Sequence, residues 1–267
     1  MLLSGLFIAT ALLYTVSCGL YLVHLVRGSK GYSTLANRLL GLSAITHFGF
    51  LVAAQLLEGR LPFGDIYRTL SLVSLLTVLA FLLLELRYPV SVLGAFLTPV
   101  TLLFFLGSGL GTSVAPVPED VRSALLPVHI AVNLLGIVAF ALAFAAAIAY
   151  VLQERLLRRK RLTGIFQRLP ALDVLDSIGL RAVITGFPLL TLGIVTGAFW
   201  ATRLHDRGTL VAPEQGFALL AWLVFAAVLL LRVSAGWRGR RAAIGTILGF
   251  VCAAAVLVGY VIRAGVT

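Results

Sequence analysis

Residues 126–160 read LPVHIAVNLLGIVAFALAFAAAIAYVLQERLLRRK, and this stretch decides the fold class. No Asp, Glu, Lys or Arg occurs from Leu126 to Gln153, and a basic block follows. About 20 apolar residues suffice for a helix to cross a bilayer, so this segment reads as a transmembrane helix with a positively charged end. A histidine, His129, stands just inside its opening, where an ionisable side chain is costly and therefore a functional candidate.

The rest of the chain agrees. Of 267 residues, 60% are hydrophobic and 12% charged, whereas soluble domains carry roughly a quarter charged residues; mean hydropathy is +1.07. Apolar stretches at about 3–26, 39–57, 66–85, 90–110, 126–152, 182–202, 216–232 and 243–262 predict an all-α integral membrane protein of about eight transmembrane helices. They form one polytopic membrane domain over 1–267. The longest connections expected are about 111–125, 153–181 and 203–215.

Net charge is +11, but its placement speaks for topology rather than nucleic acid. With the N-terminus outside, every Lys and Arg except Arg60, Arg68, Arg122, Arg203, Arg207 and Arg263 falls on the cytoplasmic side, as the positive-inside rule requires. Both termini are then expected on the outer, extracytoplasmic side of a bacterial cytoplasmic membrane. The runs RLLRRKR (155–161) and GWRGRR (236–241) are topology signals first and contacts for anionic lipid or a partner second. No basic region precedes the first apolar stretch, so it is expected to be a retained helix rather than a signal peptide. Cys18 and Cys252 both lie in apolar stretches, with no C-x-x-C or C-x-x-C-H, so neither thiol–disulfide chemistry nor covalent haem attachment has a motif here.

Along one helical face from His129 come Asn133, Gly136, Phe140, Ala143 and Ala147. Small residues mark close helix packing in membranes, so His129 is expected to point into the bundle near its outer mouth. Asn133, one turn deeper, is expected to hydrogen-bond the imidazole and fix its tautomer. The stretch NRLLGLSAITHFGFLVAAQLLEG (37–59) places His47 at mid-membrane on a face with Ser43, Ala44, Ala54 and Gln55. His24, at a helix end beside Arg27, needs only an interfacial role. His205 in ATRLHDRGT (201–209), flanked by Asp206 and Arg207, is expected to be a solvated residue of an outer loop, from which it could approach His129. Trp200 and Trp222 are expected near the outer ends of their helices as interfacial aromatics. G-x-x-x-G pairs at Gly193/Gly197 and Gly245/Gly249 predict close helix crossings.

Other chemistries lack their residues. H-E-x-x-H, the phosphate-binding G-x-x-x-x-G-K-[ST] and G-x-S-x-G are all absent. Carboxylates are nearly missing from the helix interiors, which argues against a carboxylate-based pump. Pro99 and Pro188 permit broken helices, but no two halves match as transporter repeats do. Neutral histidine among aromatic and aliphatic side chains suits axial ligation of haem iron.

These blocks resemble a known group. Residues 126–160, then RLPALDVLDSIGLRAVITGFPLLTLGIVTGAFWA (168–201), FALLAWLVFAAVLLLR (217–232) and GWRGRRAAIGTILGF (236–250) are similar to the cytochrome c assembly family, CcsA included. The likeness spans roughly 40–262 and is nearest to the shorter HemX/YpjD-type branch. It implies that His129 is the outer-face axial histidine of the family. Trp200 matches its G-[AV]-x-W-A string, and Pro213, Phe217 and Trp222 match positions of its tryptophan-rich region. Three departures stand out. The loop RLHDRGTLVAPEQGF (203–217) lacks the tryptophan cluster and has Ala212 in place of aspartate. Leu230 replaces a later histidine, and Arg68 stands where glutamate is frequent. The resemblance implies a haem-binding or haem-conducting protein, not an enzyme, with non-covalent b-type haem held by His129 and by His47 or His205. It would work beside another cytochrome c assembly or haem-biosynthesis protein. The alternative it leaves is a membrane regulator or scaffold of haem synthesis, controlling glutamyl-tRNA reductase through the loop 153–181 and binding no haem.

Overall fold

The computed structural model describes residues 1–59, 65–111, 125–204 and 213–266, and among them every regular element is helical. The order is α1 (Leu2–Arg27), α2 (Lys30–Glu58), α3 (Ile66–Arg87), α4 (Gly94–Gly107, entered through a short 3-10 turn at Ser91–Leu93), α5 (Leu125–Arg158), α6 (Leu172–Leu204), α7 (Pro213–Ser234) and α8 (Arg240–Val266). Helices are what a bilayer demands, because backbone N–H and C=O groups find no water there.

Seven of the eight are long and apolar enough to cross a membrane; the segment Ser91–Gly107 is shorter. Fourteen residues of α4 rise only about 21 Å, short of the ~30 Å hydrocarbon layer. The sequence reading drew a full span over 90–110 because apolar composition continues beyond the helix, whose end at Ser108–Gly109 is held by turn bonds to Phe104, Phe105 and Leu106 carbonyls. Helices α5 and α6 differ in the other direction. More than half of 153–181, expected as a loop, belongs to them. In α5 the helix formers Gln153, Glu154 and Arg155 carry the helix past its apolar run, and in α6 the burial of Leu175 and Ile178 holds the added turns. The connection between them runs over 159–171, with a 3-10 turn at Gly164–Arg168.

Two groups of helices pack side by side. Helix α1 packs chiefly on α2 and α4, and α3 on α4; α5 packs on α6 and α8, and α7 on α8. Helix α5 joins the groups through its contacts with α3 and α4, and it is the most buried of the spans. Its alanines explain this: Ala141, Ala143, Ala145, Ala146, Ala147 and Ala149 are buried, and small side chains let neighbouring backbones approach. Phe140 of α5 stacks on Phe225 of α7 with centroids 3.9 Å apart. A Cβ on Gly186 would sit 2.6 Å from the Phe140 ring, and one on Gly249 would sit 2.8 Å from the Phe225 ring. The stack therefore lies between two glycines.

The arginine-rich end is tied by polar contacts. Gly28 ends α1 at φ 76° and donates its N–H to the His24 carbonyl, while Arg168 Nη1 donates to the Leu25 carbonyl at 2.8 Å. A side chain on Gly28 would collide with that guanidinium. Arg232 of α7 makes a bidentate pair with Asp176 of α6, 3.1 Å to Oδ1 and 2.5 Å to Oδ2. At the opposite end of α3, Asp65 caps the helix by accepting from the Arg68 N–H at 2.8 Å. The Arg68 guanidinium pairs with both Asp65 and Glu58, so its positive charge is locally balanced.

Candidate functional site

Helices α5 and α6 run antiparallel in close register, and the register builds the site. Descending α5 from His129, the residues Asn133, Gly136, Phe140 and Ala146 meet Gly193, Leu189–Leu190, Gly186 and Gly179 of α6, while His129 itself meets Gly197. The face chosen from the 3.6-residue period is thus the face that packs. The Gly193/Gly197 pair, which the sequence suggested only as a crossing point, seats the two polar side chains. A Cβ on Gly197 would lie 3.3 Å from His129 Cε1, and one on Gly193 would lie 2.8 Å from Asn133 Cγ.

The imidazole of His129 is half-buried between α5 and α6, and its Nδ1 is 2.7 Å from Thr196 Oγ1. The expectation that Asn133 would hold the ring needs correction, because Asn133 Nδ2 donates instead to the His129 main-chain carbonyl at 2.7 Å. Its amide lies below the ring, on the helix backbone, and it positions α5 rather than the imidazole. Thr196 had no signal in the sequence beyond being a hydroxyl beside Gly197 in an apolar run. That hydroxyl has one proton, and the Leu192 carbonyl at 2.7 Å and the Gly193 carbonyl at 3.1 Å both stand ready to accept it. With its proton on a carbonyl, that oxygen is an acceptor for a proton on His129 Nδ1, and a ring protonated there would carry its lone pair on Nε2. An imidazole held in this way by a second group is the form that ligates metals.

Trp222 lies near the middle of α7, not at its end as expected. Its indole N–H donates to Thr191 Oγ1 at 2.9 Å, and its ring stacks on Phe187 at 5.6 Å. It bridges α7 to α6 below the His129–Thr196 pair. Position 230, where the resemblance placed a missing histidine, faces away from the bundle, with Leu230 67% exposed. His205 and Ala212 lie outside the described residues, and so does the side chain of Trp200.

His47 is in the other helix group. It is fully buried, with Nδ1 2.9 Å from Tyr14 Oη and Nε2 2.8 Å from Ser71 Oγ. Phe105 packs edge-on at 4.5 Å. Both ring nitrogens are therefore engaged, by side chains of α1 and α3, whereas His129 meets Thr196 of α6. The structure does not bring the two histidines to one site. Among the described residues no group of three or more His, Cys, Asp and Glu side chains converges as a metal cage would need. Haem asks for less, one or two axial ligands and an apolar wall. On its donor set the His129 end meets the first requirement once, through a single oriented imidazole.

A polytopic helical membrane bundle with one such histidine held between two long helices defines the class. The family model described as "Cytochrome C assembly protein" matches residues 6–261, and the chain belongs to that family. Similar proteins include the cytochrome c biogenesis protein CcsA of Parasynechococcus marenigrum, 30% identical over 228 residues (76% of this chain, 75% of that protein). The CcsA of Synechococcus sp. strain WH7803 is 29% identical over 267 residues, covering 86% and 83%. That of Guillardia theta is 28% identical over 214 residues, covering 73% and 71%.

Proposed function

We propose that this protein holds haem at the His129 end of its bundle as a step in cytochrome c assembly, coordinating and releasing it without making or breaking a covalent bond. The observation that carries the reading is the His129–Thr196 pair seated on Gly193 and Gly197. A proton on Nδ1 facing Thr196 would put the lone pair on Nε2, and membership in the cytochrome c assembly family gives that nitrogen a purpose. Bound haem would supply the iron centre and the porphyrin destined for a cytochrome. Every other task belongs to the chain. Thr196 holds the ring, Asn133 fixes the helix beneath it, and Trp222 ties α7 to α6.

His47 enters this reading as a structural residue, because a ligand role would require it to leave Tyr14 or Ser71. The second axial ligand would come from the 205–212 segment, with His205 as its candidate, or from another assembly protein. The single oriented imidazole and the outward-facing Leu230 also support the HemX-type reading, with one haem site rather than two. Both chain ends on the extracytoplasmic side of a bacterial cytoplasmic membrane follow from the charge placement.

The test is the absorption spectrum of the detergent-solubilised protein, oxidised and reduced, after reconstitution with haemin. A Soret band shifted or lost in His129→Ala and retained in His47→Ala is expected. Loss in His47→Ala alone would move the site into the other helix group. No Soret band in the parent would refute haem holding and favour a regulator acting on haem synthesis.

A further inference from the structure

Where α7 turns into α8, the chain builds a polar cavity that the haem reading does not use. Its volume is about 340 Å³, and Arg158 of α5, Arg238 of the turn, and Arg240 and Arg241 of α8 line it. One carboxylate, Glu154, shares the cavity. It already pairs with Arg158 at 2.8 Å and reaches Arg240 only at 3.9 Å. Four guanidinium groups against one carboxylate leave a strong positive excess in one concavity.

The walls are pinned. Gly236 and Gly239 take left-handed backbone angles, φ 64° and φ 69°, and the Ala235 and Trp237 N–H groups both bond the Leu231 carbonyl at 3.0 Å. The Gly239 N–H reaches Asp176 Oδ1 at 3.4 Å, on the same carboxylate that grips Arg232. Tyr150 closes the floor, its hydroxyl 2.6 Å from where a Gly239 Cβ would stand. Arg241 lies over the Trp237 ring at 5.8 Å. Such stacking orients a guanidinium while leaving its N–H edge available.

We propose that this cradle binds a phosphate group. Planar guanidinium forks match phosphate oxygens in pairs, and a group carrying one or two negative charges balances the excess better than a single carboxylate would. The α8 N-terminus, whose first N–H groups point toward the turn, adds to the attraction. The turn follows directly on the apolar run ending at Leu231, which sets it at the depth of lipid headgroups, where basic clusters meet anionic phospholipid. The shared chemistry is a phosphate ester or anhydride, and its source is a phosphatidylglycerol headgroup or a soluble polyphosphate.

Thermal unfolding of the full-length protein in a neutral detergent tests this, with phosphatidylglycerol, phosphatidylcholine or inorganic pyrophosphate added in separate titrations. The cradle variant is Arg238→Gln with Arg241→Gln. The control is Arg155→Gln with Arg159→Gln, equal in charge, at the same end and outside the cavity. We expect phosphatidylglycerol, and not phosphatidylcholine, to raise the midpoint of the parent and the control. In the cradle variant it would take about tenfold more lipid to do so, the cost of two charge-assisted contacts. The same pattern with pyrophosphate alone would assign the site to a soluble anion. No rise with either anion would overturn the proposal. So would equal loss in cradle and control variants, since that is the signature of diffuse charge attraction.

Discussion

Replacing Gly193 by alanine adds one methyl group at the point where α6 seats Asn133. The new Cβ would stand 2.8 Å from both Cγ and Nδ2 of Asn133 and nearer still to Oδ1. The amide must then swing away and release the His129 carbonyl it now bonds at 2.7 Å. Overpacking of this kind costs about 1–3 kcal/mol, and losing a hydrogen bond adds about 1 kcal/mol. Alanine is a better helix former than glycine by about 1 kcal/mol, so Gly193→Ala should destabilise by roughly 1–3 kcal/mol net. In an Asn133→Ala background the clash is gone and the same change should be neutral or stabilising. Helix propensity cancels around the cycle, so the two substitutions are coupled by roughly 2–4 kcal/mol. Equilibrium unfolding in mixed micelles, monitored by circular dichroism, measures all four corners of the cycle. Gly41→Ala, whose Cβ would meet nothing within 4 Å, serves as the control for propensity alone. If Gly193→Ala stabilised the parent as much as it stabilises Asn133→Ala, the register of α5 on α6 would be wrong, and the His129 site with it.

Thr196→Val removes the acceptor for His129 Nδ1 and keeps the side-chain shape; haem affinity, read by Soret titration, should fall about 10–100-fold, with Thr196→Ser restoring most of it. Tyr14→Phe strands the buried His47 Nδ1 and should cost about 1–3 kcal/mol in unfolding experiments; an unchanged Soret titration alongside would separate stability from ligation. Asp176→Asn breaks the bidentate pair with Arg232 where both side chains are largely buried. A loss of about 3 kcal/mol is expected, and proteolysis should reach the α7–α8 turn faster. Trp222→Phe keeps the stack on Phe187 and loses the bond to Thr191, so a drop near 1 kcal/mol is expected.

The membrane class, the positions of the helices and the inward face of α5 are legible in the sequence. Each follows from a local signal: the length of an apolar run, the placement of basic residues, or the recurrence of small residues every three to four positions. Helix ends were less legible, because hydropathy marks where lipid is, whereas backbone hydrogen bonding decides where a helix stops. Hence α4 is shorter than its apolar run and α5 and α6 are longer than theirs. His129 and His47 were visible as ionisable groups in apolar surroundings, but their partners were not. Thr196 lies 67 positions from His129, and Ser71 and Tyr14 lie 24 and 33 from His47. No local pattern links such pairs. Only the packing of α5 on α6 gives His129 the Thr196 hydroxyl and turns Asn133 to the backbone. Only the packing of α2 against α1 and α3 engages both nitrogens of His47. Ring nitrogens are satisfied by whatever polar atom the neighbouring helix presents, and which helix is the neighbour is a property of the whole bundle.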